Sequence, residues 1–564
     1  MNSDLLHQLI LASASRAPDA EALSAQGRTS SYAQLAMRME TFAGALCGLG
    51  LKRSERVAVY LDKREEFVIS AFGAAAAGAV FVPVNPLLKN DQVAYILADC
   101  NVRVLVTSRD RYFGLQQALA RCPDLFAVVL IDGLGEEPDQ ETDDTVADAV
   151  DYAAASPRLR VFDWAEVLSS QGKPHRVIDA DMTAILYTSG STGKPKGVVL
   201  SHRNMVAGAK SVASYLENRP GDRLLAVLPL SFDAGFSQLT TAFASGATTV
   251  LMNYLLPRDV VHALAAEHIT GLTAVPPLWI QLAALQWPAS ITTHLRYIAN
   301  TGGHMPRATL DALRAHLPQT KPFLMYGLTE AFRSTFLPPE EIDRRPDSFG
   351  KAIPNAEILV LREDGSTCDA NEPGELVHRG ALVGMGYWND REKTAERYKP
   401  LPRAADGTAN DATCGLVLPE IAVFSGDTVR RDAEGYLYFI GRRDEMIKTS
   451  GYRVSPTEIE EALYATALLA EVAAFGVEHP LLGQAIIVIA TGKNGAVDRG
   501  IDVAVDVAVD VARVKRACQR ALPAWMQPAV IELRESALPR NANGKIDRKK
   551  LAAEFINPFV EAAS

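Results

Sequence analysis

The chain has no apolar run long enough to cross a bilayer. The longest, AFGAAAAGAVFVPV from Ala71 to Val84, is too short and is broken by glycine. Its first residues, MNSDLLHQLI, lack the basic segment, apolar stretch and small-residue cleavage site of a secretory signal, so a cytoplasmic protein is expected. Cysteine is scarce and scattered. None of Cys47, Cys100, Cys122, Cys368, Cys414 and Cys518 forms C-x-x-C or sits with histidine at zinc-ligand spacing, which predicts reduced, mostly buried thiols. A basic stripe and any nucleic-acid module are also missing, so no nucleic-acid partner is expected. The net charge of −10 is largely local: Asp132 to Asp151 carries nine acidic residues and no lysine or arginine, the mark of a solvated surface insertion.

What is present is an ordinary globular composition, 48% hydrophobic and 22% charged, over 564 residues. That length implies two or more compact units. From about Ser31 to Pro86 helix and strand patterns alternate. SYAQLAMRMETFAGALCGLG reads as a helix ending on glycine, RVAVYL as a buried strand, EEFVISAFGAAAAGA as a helix and VFVPV as the next strand. Such alternation predicts a parallel sheet covered by helices. After the acidic loop, TAILYTSG resumes the pattern, and RLLAVLPL, TTVLM, ITGLTAVPP, LRYIANTGG and KPFLMYGLTE continue it. From Ala356 the texture changes to short strands with turns, and after Asp444 to a smaller α+β unit. Within it, the repetitive VAVDVAVDVARV reads as an expanded strand-to-helix connection.

The segment YTSGSTGKPKG, Tyr187 to Gly197, packs three glycines, four serine and threonine hydroxyls and two lysines together. Glycines let backbone N–H groups converge on an anion, hydroxyls add donors, and Lys194 and Lys196 supply charge. Together they describe a clamp for nucleotide phosphates. The spacing is not that of a Walker A loop. On composition alone, a flexible solvated turn remains the alternative.

Further segments give the loop its context. YTSGSTGKPKGVVLSHRN resembles the signature loop of the adenylate-forming superfamily, which includes acyl-CoA synthetases, amino-acid adenylation domains and luciferases. YGLTE at Tyr326 to Glu330 resembles that family's adenine and magnesium motif, and SGD at Ser425 to Asp427 its ribose motif. GRRDEMIKTSGYRVSPTEIE resembles its hinge and thiol-tunnel motif, and LPRNANGKIDRKKL carries its C-terminal lysine. The motifs fall in the family's order across nearly the whole chain. The resemblance implies an α/β fold: a large N-terminal domain of layered sheets and helices with a small β-barrel-like part, residues 1–443, and a small mobile α+β C-terminal domain, residues 444–564.

It also implies a reaction and its residues. The carboxylate of an acid attacks the α-phosphate of ATP, giving an acyl-adenylate and pyrophosphate, and a thiol then displaces AMP. Thr188, Ser189, Gly190, Ser191, Thr192, Gly193 and Lys196 are expected at the β- and γ-phosphates. Thr329 is expected at the α-phosphate and Glu330 on Mg²⁺. Tyr326 is expected on adenine with Gly302 and Gly303 nearby, and Asp427 and Arg442 at ribose. Lys545 is expected to neutralise charge between the acid and the α-phosphate. Asp444 stands at the hinge position, and Gly451 in the loop that lines the thiol tunnel. His202 is expected to order its turn.

The acid itself is less legible. Phe232 is followed by Asp233, as in amino-acid-activating domains, where that aspartate pairs with the substrate ammonium. The resemblance places Ala299, Thr301, Met325, Arg333 and Ser334 around the same pocket. Arg333 is expected either to meet a second acidic group or to pair with Asp233, which would remove the amino-acid argument. Closest in overall texture are the AMP-forming acyl-CoA ligases associated with bacterial exosortase systems. The expected partners are therefore a small carboxylic or amino acid, ATP with Mg²⁺, and as thiol either CoA or the phosphopantetheine of a carrier protein acting in trans.

Overall fold

The computed structural model describes residues 3–133, 159–169, 171–188, 195–402, 420–443, 445–449, 452–479, 482–492, 510–541, 545–555 and 559. The acidic segment beyond residue 133 and the repetitive stretch 501–509 lie outside these residues.

Strand alternation organises the large unit. In Arg56–Tyr60, Val57 and Val59 face one core while Ala58 and Tyr60 face another; in Arg223–Ala226, Leu224 and Ala226 face inward and Leu225 outward. Such strands are apolar on both faces and need helices on both. Two sheets result. The first runs in the order Arg160–Asp163, Ala127–Leu130, Val102–Thr107, Arg56–Tyr60, Val80–Pro83, Met182–Thr188, Lys196–Ser201, and all its pairs but the last are parallel. The second carries Thr248–Leu251, Arg223–Ala226, Gly271–Ala274, Tyr297–Asn300 and Lys321–Tyr326 in parallel, then turns antiparallel. The β-barrel-like part expected from sequence is this antiparallel extension. Its strands Ser348–Ala352, Leu437–Arg442, Ile421–Arg431, Pro373–Gly380 and Ala356–Leu361 hydrogen-bond to the second sheet without a break.

Four helices, Tyr32–Gly48, Glu65–Ala77, His202–Tyr215 and Asp233–Ser245, fill the space between the sheets. Ser31 opens the first with a capping box to Gln34, and Ser201 opens the third with one to Asn204. At the centre, Phe236 stacks on Phe81 and Phe72 with ring centroids 4.8 and 5.6 Å away. This packing fixes the helix Asp233–Ser245. Its start is tighter still: a Cβ on Gly235 would sit 1.9 Å from the Pro229 carbonyl oxygen, so only glycine allows that approach.

The C-terminal unit is a separate sheet of Tyr452–Val454, Ile447–Thr449, Gly483–Gly492 and Leu469–His479, with Val530–Arg534 parallel to Gly483–Gly492. Pro456–Tyr464 and Val511–Ala521 cover one face and Arg548–Ala553 the other. No helix among the described residues is long and apolar enough to cross a membrane. The described cysteines are free thiols, and all but Cys47 are buried.

His202 ties the N-terminal segment rather than its own turn: its Nδ1 accepts from the Leu6 N–H at 3.1 Å. Burial pushes its pKa down to about 3, with a further push from His7, and burial likewise pushes His378 to about 3. Unfolded histidines bind a proton below about pH 6.5. These two refuse it while folded, so stability is complete above that pH and falls as acid is added, by about 1.4 kcal/mol per pH unit for each. Urea midpoints measured between pH 7 and 4 are expected to decline along this slope. In His202→Gln the decline is expected to be shallower.

Candidate functional site

The site lies where the second sheet reverses. Lys321–Tyr326 has the parallel strand Tyr297–Asn300 on one side and the antiparallel strand Thr335–Leu337 on the other. Ligands of parallel sheets bind beyond the carboxyl ends of the strands. Tyr326 ends this strand. Its hydroxyl donates to Asp427 Oδ2 at 2.5 Å, and its ring leans on Phe349 with centroids 4.9 Å apart. Asp427 stands opposite Arg442 in the antiparallel register, with Oδ1 3.6 Å from the arginine Nε. That Oδ1 is buried and has no hydrogen-bond partner. Burial pushes the Asp427 pKa up, against the pull of Arg442, Tyr326, Arg397 and Lys545. Asp427 is thus an acceptor with one oxygen engaged and one open.

Thr329 and Glu330 follow in the short turn Thr329–Ala331. Glu330 Oε1 accepts from the Tyr387 hydroxyl at 2.5 Å, and its backbone carbonyl accepts from the Gly384 N–H at 2.8 Å. The Lys196 ammonium sits over the same Tyr387 ring, 5.7 Å from its centre. Tyr387 was not singled out from sequence, yet it joins the acidic turn to the cationic end of the phosphate segment. Thr188 and Lys196 stand opposite each other in the hairpin of Met182–Thr188 and Lys196–Ser201. Ser189, Gly190, Ser191, Thr192 and Gly193 lie outside the described residues, as do Asp444 and Gly451. Among the described residues no group of three or more histidine, cysteine or acidic side chains could enclose a metal. A single carboxylate such as Glu330 fits Mg²⁺, which keeps waters and phosphate oxygens as its other ligands.

Lys545 reaches this crevice from the C-terminal unit. Its backbone N–H bonds Asn541 Oδ1 at 3.1 Å, and its carbonyl accepts from the Asn541 N–H at 2.8 Å. Gly302, with φ +77°, makes room beside it: a Cβ there would lie 3.2 Å from Val275 Cγ1 and 3.9 Å from Lys545 Cε. Gly303 follows, its carbonyl held by Asn300 Nδ2 at 2.8 Å. Lys545 remains exposed as a whole residue, while desolvation around its ammonium lowers its pKa. Arg442 adds to that, and Asp233, Asp427 and Glu445 oppose it.

Asp233 begins the helix Asp233–Ser245 and is 4% exposed; Arg333 is 2% exposed. Arg333 Nη1 lies 3.3 Å from Asp233 Oδ2 and also donates to the Phe332 carbonyl at 3.2 Å. Desolvation pushes the Asp233 pKa up, and Arg333 is the largest force holding it down. Asp233 therefore has its counter-ion within the chain, so its presence alone no longer argues for a substrate ammonium. Beside Arg333 opens a narrow cavity between the helices His202–Tyr215 and Asp233–Ser245 and the second sheet. Met325 and Arg333 line it. Ala299, Thr301 and Ser334 do not. Ala299 packs into the core between the sheets, Thr301 is buried with its N–H on the Ala274 carbonyl, and Ser334 Oγ lies 2.9 Å from His378 Nδ1. Sequence reasoning missed the wall supplied by Ala234, Ser237, Gln238 and Thr241. Their helical spacing behind Asp233 was the signal that could have found it.

These parts border a crevice with the Asp427–Arg442 pair at one end, a lysine-bearing hairpin at another and a narrow cavity below. Comparison with known proteins gives the class. Residues 10–388 match the AMP-binding enzyme family and residues 458–545 the AMP-binding enzyme C-terminal domain. The chain belongs to the AMP-binding enzyme family. It is 28% identical to an L-proline–[L-prolyl-carrier protein] ligase of Pseudomonas fluorescens, over 98% of this chain and 99% of that protein. It is also 28% identical to a long-chain-fatty-acid–CoA ligase of Escherichia coli O157:H7, over 96% of this chain and 93% of that one. Gramicidin S synthase 2 of Aneurinibacillus migulanus is 26% identical over 96% of this chain, which spans only 11% of that protein's length. In fold, the chain is similar to the anthranilate CoA ligase AuaEII bound to anthranoyl-AMP, with TM-score 0.80, 24% identity, and 99% of this chain and 98% of that one covered.

Removing the guanidinium from beside Asp233 leaves a buried charge without a partner, at a cost of about 3–5 kcal/mol. Arg333→Met is expected to lower the thermal unfolding midpoint, and adding Asp233→Asn in the same chain is expected to recover part of the loss. Calorimetry of the two variants checks this.

Proposed function

We propose that this chain is an ATP-dependent acid–thiol ligase of the AMP-forming kind, acting in the bacterial cytoplasm. The observation that supports this best is the placement of Lys545. A cation from the C-terminal unit stands beside Gly302, within electrostatic reach of both Asp233 and Asp427. It spans the mouth of the acid pocket and the acceptor suited to a ribose.

In the first half-reaction a carboxylate oxygen attacks the α-phosphorus of ATP, the bond to the β-phosphate breaks, and pyrophosphate leaves. Two anions must approach in a crevice with little water, so fixed positive charge is worth most here. Lys545 neutralises both as they meet. Thr188, Lys196 and the Ser189–Gly193 loop hold the outer phosphates, and Thr329 orients the α-phosphate. Glu330, steadied by Tyr387, would hold Mg²⁺, which supplies further neutralisation of the phosphates when bound. Asp427 accepts from the ribose hydroxyls through its open Oδ1, with Arg442 beside it, and Gly302, Gly303 and Tyr326 border the base. In the second half-reaction a thiolate attacks the acyl carbon and the bond to AMP oxygen breaks. The chain divides at residues 443 and 444, and turning about Asp444 withdraws Lys545 and brings up the Gly451 loop to line the thiol channel. CoA is the leading acceptor. Likeness to a carrier-protein ligase over its full length supports a second reading, an amino-acid ligase that loads a carrier's phosphopantetheine in trans.

Lys545→Ala is expected to lower ATP–pyrophosphate exchange by about 10²–10³-fold, the range for losing one group that stabilises developing charge, with no change in thermal midpoint. Exchange at the wild-type rate would overturn the assignment. Adding CoA or a pantetheinylated carrier to the adenylate, and following thioester by mass spectrometry, separates the two acceptors.

A further inference from the structure

The identity of the acid can be narrowed, on the basis of the ligase reading above. Ala234, Ser237, Gln238 and Thr241 face the cavity at positions i, i+3, i+4 and i+7 of one helix. A stripe of that spacing runs about 10 Å along the axis. The empty space is about 340 Å³ even counting its open mouth. Water-sized groups can be centred in only about 20 Å³ of it, so few of them fit. A long alkyl chain does not fit.

The hydrogen-bonding capacity of the wall is unmet at both ends. Thr241 is 2% exposed and its hydroxyl has no partner; Arg333 Nε, on the wall, and Oδ1 of its ion-pair partner Asp233 are likewise buried without partners. Gln238, by contrast, is satisfied within the wall: its Nε2 donates to the Leu225 carbonyl at 2.8 Å. A buried polar group left unpaired is costly. A ligand that pairs them is favoured over an isostere that does not.

Charge decides the kind of ligand group. Asp233 and Arg333 offset each other at 3.3 Å. An ammonium beside them would meet the guanidinium as well as the carboxylate, and a second carboxylate would meet the reverse. Either ion would lose its water without a net counter-charge in return. A neutral group that both donates and accepts satisfies Nε–H and Oδ1 together. Val212, Leu216, Leu224 and Met325 give the wall an apolar part that suits a compact hydrocarbon body, with Thr273 and Tyr297 beside them.

We propose that this chain activates short carboxylic acids with an apolar body and a neutral hydrogen-bonding substituent, a hydroxyl or carboxamide, read by the Asp233–Arg333 pair and by Thr241.

The test is ATP–pyrophosphate exchange by the full-length chain on size-matched acids: unsubstituted, hydroxylated, carboxamide-bearing, amino and dicarboxylic, with a long-chain fatty acid added. A hydroxylated or carboxamide member is expected to exceed its unsubstituted, amino and dicarboxylic counterparts by tenfold or more in kcat/KM. Thr241→Val, and Arg333→Met paired with Asp233→Asn to remove the uncompensated charge, are each expected to collapse that ratio towards unity. The ratio is taken within each variant, so a general loss of folded enzyme cancels. Preference for an amino acid, a dicarboxylate or a fatty acid overturns the proposal and leaves the ligase reading standing, as does a ratio unchanged in both variants. No exchange with any acid overturns both.

Discussion

A carboxylate buried in its charged form is costly without a cation beside it, and the Asp233–Arg333 pair is where this chain meets that need. The pair joins the first turn of the helix Asp233–Ser245 to the segment that follows Tyr326 and Glu330. The helix is in turn wedged between the two sheets by Phe236. One ion pair therefore sets the distance between the cavity wall and the crevice above it. Phe332, held at φ +58° with its ring against Gly208, adds a second constraint on the same turn. A non-glycine residue in that region of backbone space is sustained only by surrounding contacts.

The crevice is built by the same logic of paired need. Tyr326 gives its hydroxyl to Asp427, and Tyr387 gives its own to Glu330. Each acidic residue thus has one oxygen oriented by a phenol before any ligand arrives. Preorganised acceptors spare a ligand the work of ordering them. That both donors are tyrosines follows from their surroundings: an aromatic body can pack where a longer polar side chain would be left mobile.

Much of the fold was legible because strand alternation and helix periodicity are local. The elements from Ser31 to Pro86 appear where the sequence pattern places them, as Tyr32–Gly48, Arg56–Tyr60, Glu65–Ala77 and Val80–Pro83. The site was legible only as a set of motifs. The partners that orient it come from far along the chain: Arg333 lies 100 residues from Asp233, Tyr387 lies 57 from Glu330, and Asp427 lies 101 from Tyr326. The Arg333–Asp233 pairing was one of two expected from the family resemblance; nothing in a linear pattern announces the other two, since tertiary packing alone brings them together. Ser334 was misplaced for the same reason. Its neighbour Arg333 faces the cavity, but its hydroxyl turns to His378 on another strand.

One contact between the large sheets and the helix Pro456–Tyr464 is polar and half open to solvent. His304 Nε2 lies 3.6 Å from Glu461 Oε1, with the two side chains 31% and 47% exposed. Contacts of this kind contribute little and weaken as ions crowd around them. A contact of this kind parts readily. Its dwell time is then governed by the ionic medium and by whatever anion occupies the crevice, so release belongs to the fold as much as capture does.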